Sequence, residues 1–144
     1  MLGAMAILVS GCIVPIPTPN GPITGGIEVR QADLAFLQPG NTTKEEVLQH
    51  LGQPTIIWRD ENTLIYRWVQ TMGLLFWGVT SGYSGAFGAM EIKADYAYLV
   101  RFDATDHFIS SETVRTPRSK AFGKFLLDWR DAQRAKEATG NPVP

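Results

Sequence analysis

Apolar and polar positions follow two different periods along this chain of 144 residues, and the changes of period mark out its elements. Leu64, Tyr66 and Trp68 alternate with Ile65, Arg67 and Val69, and the stretches Tyr96 to Phe102 and Phe108 to Val114 repeat the pattern. Period two in β-branched and aromatic residues predicts antiparallel strands, and Ile56-Ile57-Trp58 adds a short one before a polar turn at Arg59 to Asn62. Elsewhere the period lengthens. Asn41-Thr42-Thr43-Lys44-Glu45-Glu46 contains two overlapping capping boxes, Val47, Leu48 and Leu51 form an apolar stripe, Gly52 stands at the C-cap and Pro54 bars continuation, so a helix is predicted. Gln31 to Gln38 predicts a shorter helix with Leu34, Phe36 and Leu37 facing inward and Pro39-Gly40 as its stop. A last helix opens near Ser119 and sets Phe122, Phe125, Leu126 and Trp129 on one face. The predicted fold is α+β: two short N-terminal helices packed on a three-stranded antiparallel β-meander, plus a C-terminal amphipathic helix.

Two stretches follow neither period. Ile13 to Gly26 carries prolines at 15, 17, 19 and 22, which remove backbone donors and favour polyproline II. It reads as a semi-rigid spacer, the alternative being an ordered arm packed on the domain. Thr71 to Met90 has no charge and glycines at 73, 78, 82, 85 and 88, too many for a stable helix. Within it Leu74, Leu75, Phe76, Trp77, Tyr83 and Phe87 form a candidate partner or membrane contact if exposed, and Trp77 and Tyr83 suit a bilayer interface. Alternatively the two limbs of this insert extend the strands at Gln70 and Tyr96 and bury their aromatics against the core or a second subunit, making a homo-oligomer through residues 71–90. No breaker-free run of eighteen apolar residues occurs, so no transmembrane helix is predicted.

Composition narrows the function classes. A net charge of −1 supplies no global field for nucleic acid, and 44% hydrophobic residues suffice for one ordinary core. Residues 115–137 carry seven basic side chains against three acidic ones, which reads as a solvated helix face or a surface for anionic headgroups. Cys12 is the only cysteine, which excludes an intramolecular disulfide.

Cys12 also closes Leu8-Val9-Ser10-Gly11-Cys12 after an uncharged, mostly apolar run from Met1. That stretch resembles a lipobox, with small residues before the cut and an apolar approach. The resemblance implies a signal peptide at 1–11, a covalent lipid on Cys12 and a lipidated linker at 12–26, followed by a domain at 27–139 with the insert 71–90 and a disordered tail at 140–144. No Lys or Arg precedes the apolar core, so the true start codon is expected upstream. The alternative is a small buried cysteine in an N-terminal strand.

No catalytic constellation is visible. His50 and His107 are too scattered for zinc, no Gly-x-Ser-x-Gly elbow occurs, and no Gly-Lys-Ser/Thr ends the glycine-rich stretch. Asp103 and Asp106 flank a turn, where aspartate bonds its own backbone. The sequence therefore predicts no enzyme, no catalytic, metal or cofactor-binding residues, and no cofactor beyond the lipid.

Pro39-Gly40-Asn41-Thr42-Thr43-Lys44-Glu45-Glu46-Val47, Leu51-Gly52-Gln53-Pro54, the Tyr66-x-Trp68 strand and Tyr98 to Asp103 together resemble the SmpA/OmlA, or BamE-like, lipoprotein family over about residues 27–115. The resemblance implies a non-enzymatic lipoprotein, anchored at the periplasmic face of the outer membrane. Its work would be to bind a protein partner in β-barrel assembly or envelope integrity. Ile13 rather than Asp after Cys12 agrees with that sorting. The uncharged insert and the helix after Ser119 depart from the family's pattern. A second expectation is a soluble periplasmic binding or inhibitor module, since two helices on a sheet also resemble the repeat unit of β-lactamase inhibitory proteins. Tyr66, Trp68, Tyr96 and Tyr98 would then form its ligand face.

Overall fold

The computed structural model describes residues 10–19, 21–81 and 83–139. Most of the expected signal segment and the tail at 140–144 lie outside these. Six strands form one antiparallel sheet: β1 (Ser10–Pro17), β2 (Ile23–Gly26), β3 (Ile56–Trp58), β4 (Thr63–Ser81), β5 (Ser84–Phe102) and β6 (Phe108–Thr116). Two α-helices accompany them, α1 (Lys44–Leu51) and α2 (Phe122–Ala138). The sheet order is β1-β4-β5-β6, with β2 and β3 also paired to β4.

This overturns the expected pair of N-terminal helices on a three-stranded meander. The first expected helix is only a 3-10 turn, Gln31–Leu34. Leu34, Phe36 and Leu37 still pack inward, but a segment stopped by Pro39-Gly40 is too short to repay helix nucleation. The strand count doubles for a different reason. β4 is nineteen residues long, and its edge away from β5 takes β3, β2 and β1 as successive partners.

By compactness the chain forms two units, one built on β1 with Gln70–Ala94, the other on Ile23–Val69 with the chain from Asp95 through α2. In the second unit both faces of β4 and β5 are buried. Leu64, Tyr66, Trp68, Tyr98, Val100 and Phe102 form one core, to which α1 contributes Val47 and β6 contributes Phe108. Ile65, Ala97 and Leu99, on the opposite face by strand alternation, pack under Leu126 with Phe122, Phe125 and Trp129 of α2 alongside. The apolar stripe predicted for α2 therefore docks as expected, although the helix starts at Phe122 because Pro117 to Lys120 make a turn.

Helix α1 uses the second of its two capping boxes. The Thr43 hydroxyl accepts from the Glu46 amide at 3.3 Å, and the Thr43 amide donates to the Glu46 carboxylate at 2.7 Å. Thr42 is instead buried, its hydroxyl donating to the Phe36 carbonyl at 3.0 Å. At the far end Gly52 adopts φ +77° and its amide returns to Leu48 at 3.0 Å, the glycine termination that the sequence predicts. A polar knot ties the start of α1 to the turn between β5 and β6: Lys44 Nζ donates to Asn62 Oδ1 at 2.6 Å, and Asn62 Nδ2 donates to Asp103 O and Asp106 Oδ1 at 2.7 and 2.9 Å.

Candidate functional site

In the first unit β1 pairs with β4 in a register that sets Cys12 opposite Gly78, Ile13 opposite Trp77, Val14 opposite Phe76 and Ile16 opposite Leu74. Paired residues share a face and successive residues alternate between faces, so the site residues divide. Cys12, Val14, Ile16, Leu74 and Phe76 lie on one side, and Ile13, Leu75, Trp77 and Val79 on the other. The glycines settle where β5 belongs. A Cβ on Gly78 would sit 2.7 Å from the Phe87 ring, and one on Gly88 would sit 2.5 Å from the Trp77 indole. Phe87 therefore covers Gly78 on the Cys12 face, and Trp77 covers Gly88 on the opposite face.

Both faces are open. Cys12 is a free, exposed thiol, which places it in the N-terminal strand of the alternative reading but not in a core. Phe76 and Trp77 are about two-fifths exposed, Phe87 is 79% exposed, and Tyr83, between β4 and β5, is fully exposed. Leu74 and Leu75 are half-buried. No Asp, Glu, Lys or Arg occurs in β1 or between Thr71 and Met90. The first charges, Glu91 and Lys93, pair with each other at 2.9 Å. The structure thus gathers all seven candidate positions into one unit, where β1, the first part of the stretch read as a spacer, pairs with the insert.

The edges of this unit differ. The Thr18 amide donates to Met72 O at 3.0 Å, so by alternation the even-numbered residues of β1 bond to β4 and the odd-numbered ones face outward. Pro15 and Pro17 occupy outward positions, where a missing donor breaks no ladder bond and discourages further strand pairing. Ile13, Val14 and Ile16 also belong to the exposed surface, a placement that follows from the pairing of β1 with β4.

The remaining candidates resolve into structure. Asp103 Oδ1 accepts from the Thr105 amide and hydroxyl, both at 2.7 Å, and from the His107 amide at 3.0 Å, and the last of these chiefly holds its carboxyl below the usual range. Asp106, at φ +60°, is held low chiefly by the Asn62 side-chain amide. His50 stacks on Phe36 with ring centroids 4.2 Å apart. Among the described residues no three or more His, Cys, Asp or Glu cluster closely enough to hold a metal ion. Tyr66, Trp68 and Tyr98 are core residues, with Tyr96 packed against them, rather than an open ligand face. The Tyr66 hydroxyl donates to Gly52 O at 3.1 Å, and burial pushes its phenol up to about 12. Among the described residues no helix is long and apolar enough to cross a membrane.

In comparisons with known proteins, no family model, no curated protein and no solved structure matches this chain.

Proposed function

We propose that this chain is a non-enzymatic lipoprotein of the bacterial envelope, anchored through acyl chains on Cys12 and acting by contact with a protein partner in outer-membrane β-barrel assembly or envelope integrity. The observation that carries this reading is the placement of Cys12, exposed on an uncharged strand, beside an open apolar sheet. A lipid on Cys12 would emerge next to side chains that already disfavour water. Cleavage before Cys12 would leave Cys12 to Pro17 still paired with Gly73 to Gly78, so the anchored chain would keep its edge strand. The capped helix α1 and the Tyr66-x-Trp68 strand, the motifs that resemble the SmpA/OmlA family, lie in the second unit and support the assignment to barrel assembly. Partner contact would not need a catalytic group.

Mass spectrometry of protein extracted from membranes of a Gram-negative host, expressed from its natural gene, tests the reading. The expected N-terminus is a triacylated Cys12, with Cys12→Ala losing the modification. An unmodified chain retaining Met1 and recovered from the soluble fraction would overturn it.

A further inference from the structure

We infer that the tip formed by the facing ends of β4 and β5 inserts into the headgroup and acyl boundary of a bilayer, as a membrane contact separate from any lipid on Cys12. Cys12 pairs with Gly78, three residues before the end of β4, or about 10 Å along the strand from the tip. Trp77, Val79, Tyr83 and Phe87 surround that end. The nearest charge along β5, Glu91, stands eight residues from Tyr83, about 26 Å away at the usual strand rise. The tip is uncharged, its polar side chains are the small hydroxyls of Thr80, Ser81 and Ser84, and it carries Trp and Tyr, the residues that settle at membrane interfaces.

Area and charge choose the occupant. Side chains of this size left half-exposed offer on the order of 500 Å² on each face. A second copy docking flat against one face falls short of the roughly 800 Å² per partner of a standard interface, and leaves the other face in water. A bilayer interface covers both faces and the tip at once, and its acyl region matches a surface without charge. Full crossing as part of a barrel is disfavoured by two features. Neither face is polar enough to line a lumen, and the outer edge of β1 lacks donors at Pro15 and Pro17, which a closed sheet in hydrocarbon would need. Shallow insertion leaves those edges in reach of water and headgroups.

The test uses the full chain carrying Cys12→Ala, which cannot be acylated, so its outcome is independent of the anchor. Flotation with phosphatidylcholine vesicles should carry the protein into the lipid fraction. Trp77→Ser, Tyr83→Ser and Phe87→Ser together should lower the partition coefficient by about tenfold or more, a loss of at least about 1.4 kcal/mol. Circular dichroism checks folding, and Trp77→Phe provides a gentler variant. Brominated lipid should quench tryptophan emission in the Cys12→Ala protein but much less in Cys12→Ala/Trp77→Phe. The inference is overturned if Cys12→Ala stays out of neutral vesicles, if the triple variant partitions equally well, or if binding needs phosphatidylglycerol and vanishes with Lys120→Ala/Lys124→Ala. It is equally overturned if light scattering finds a dimer that the triple variant dissociates while vesicle binding is unchanged.

Discussion

Truncating Leu99 to alanine tests whether α2 really covers the second face of the sheet. Leu99 has no solvent exposure and lies in β5 opposite Glu112 of β6, in the cluster with Ile65, Ala97 and Leu126. The change removes three buried carbons, worth about 2.4 kcal/mol at roughly 0.8 kcal/mol each. A partly relaxed cavity beneath α2 adds to this and brings the expected loss to about 3–4 kcal/mol. With a urea dependence of about 2 kcal/mol per molar, the unfolding midpoint followed by far-UV circular dichroism should fall by about 1.5–2 M with unchanged slope. Leu127→Ala is the control, because the neighbouring residue on α2 is 47% exposed and should cost less than about 1 kcal/mol. A loss below about 1 kcal/mol at Leu99, or an equal loss at Leu127, would refute the placement of α2 on this face.

Two further outcomes follow from polar contacts. Glu112 accepts from Trp129 Nε1 and from Gln133 Nε2, the latter at 2.8 Å, and Gln133 is buried. Glu112→Ala should therefore destabilise by about 1–3 kcal/mol in urea unfolding through stranded donors, with Glu112→Gln recovering part of it; identical losses in both variants would count against that account. Acid should also destabilise the fold. Glu46 is held low chiefly by the Thr43 amide, Asp103 by the His107 amide and Asp106 by the Asn62 side chain, so the unfolded chain binds more protons as pH falls. Their contribution is complete above the ordinary values of 4.5 for Glu and 3.8 for Asp and disappears as pH drops through the lower folded values. Urea midpoints between pH 6 and pH 3 should fall less steeply for Asp103→Asn than for the parent, and parallel slopes would discard the linkage.

The elements legible in the sequence are those whose signals are local. Thr43, Glu46 and Gly52 define the ends of α1 through bonds spanning three or four residues, and the stripe from Phe122 to Trp129 needs only a helical period. Strand β1 stands in the sequence only as an alternative, an N-terminal strand or an ordered arm, because its prolines argue against a strand unless Pro15 and Pro17 face away from β4, which is a fact of register. The length of β4 matches the alternative in which the limbs of the insert extend the strands at Gln70 and Tyr96, which the sequence leaves undecided. Its residues are apolar on both faces, so beyond Gln70 the period-two signal fades just where the glycines begin. The contact residues Leu74 to Phe87 were legible as an uncharged group, but their division between two faces, and the inclusion of Ile13, Val14 and Ile16, depend on pairing that no local pattern encodes.

The glycines of the insert gain a different meaning from this pairing. Read along the chain, Gly78 and Gly88 permit either a mobile loop or bends in a long hairpin, since glycine weakens strands through entropy and the lack of a side chain to pack. In the sheet each lies under an aromatic ring from the facing strand, Phe87 on Gly78 and Trp77 on Gly88, at distances that leave no room for a Cβ. The rings cover backbone that glycine would otherwise leave bare, as in aromatic rescue of strand glycines, and their outer edges remain exposed. The same two strands carry mostly apolar side chains on both faces in both units. In the second unit the α1 side and α2 bury those faces within the chain, whereas in the first the aromatics are seated on glycine and turned outward. Small residues there serve to flatten the rings against the sheet, so that the surface presented outward is broad, uncharged and aromatic on either side. That surface combines ordered backbone pairing with open apolar faces, a combination suited to a permanent boundary with lipid.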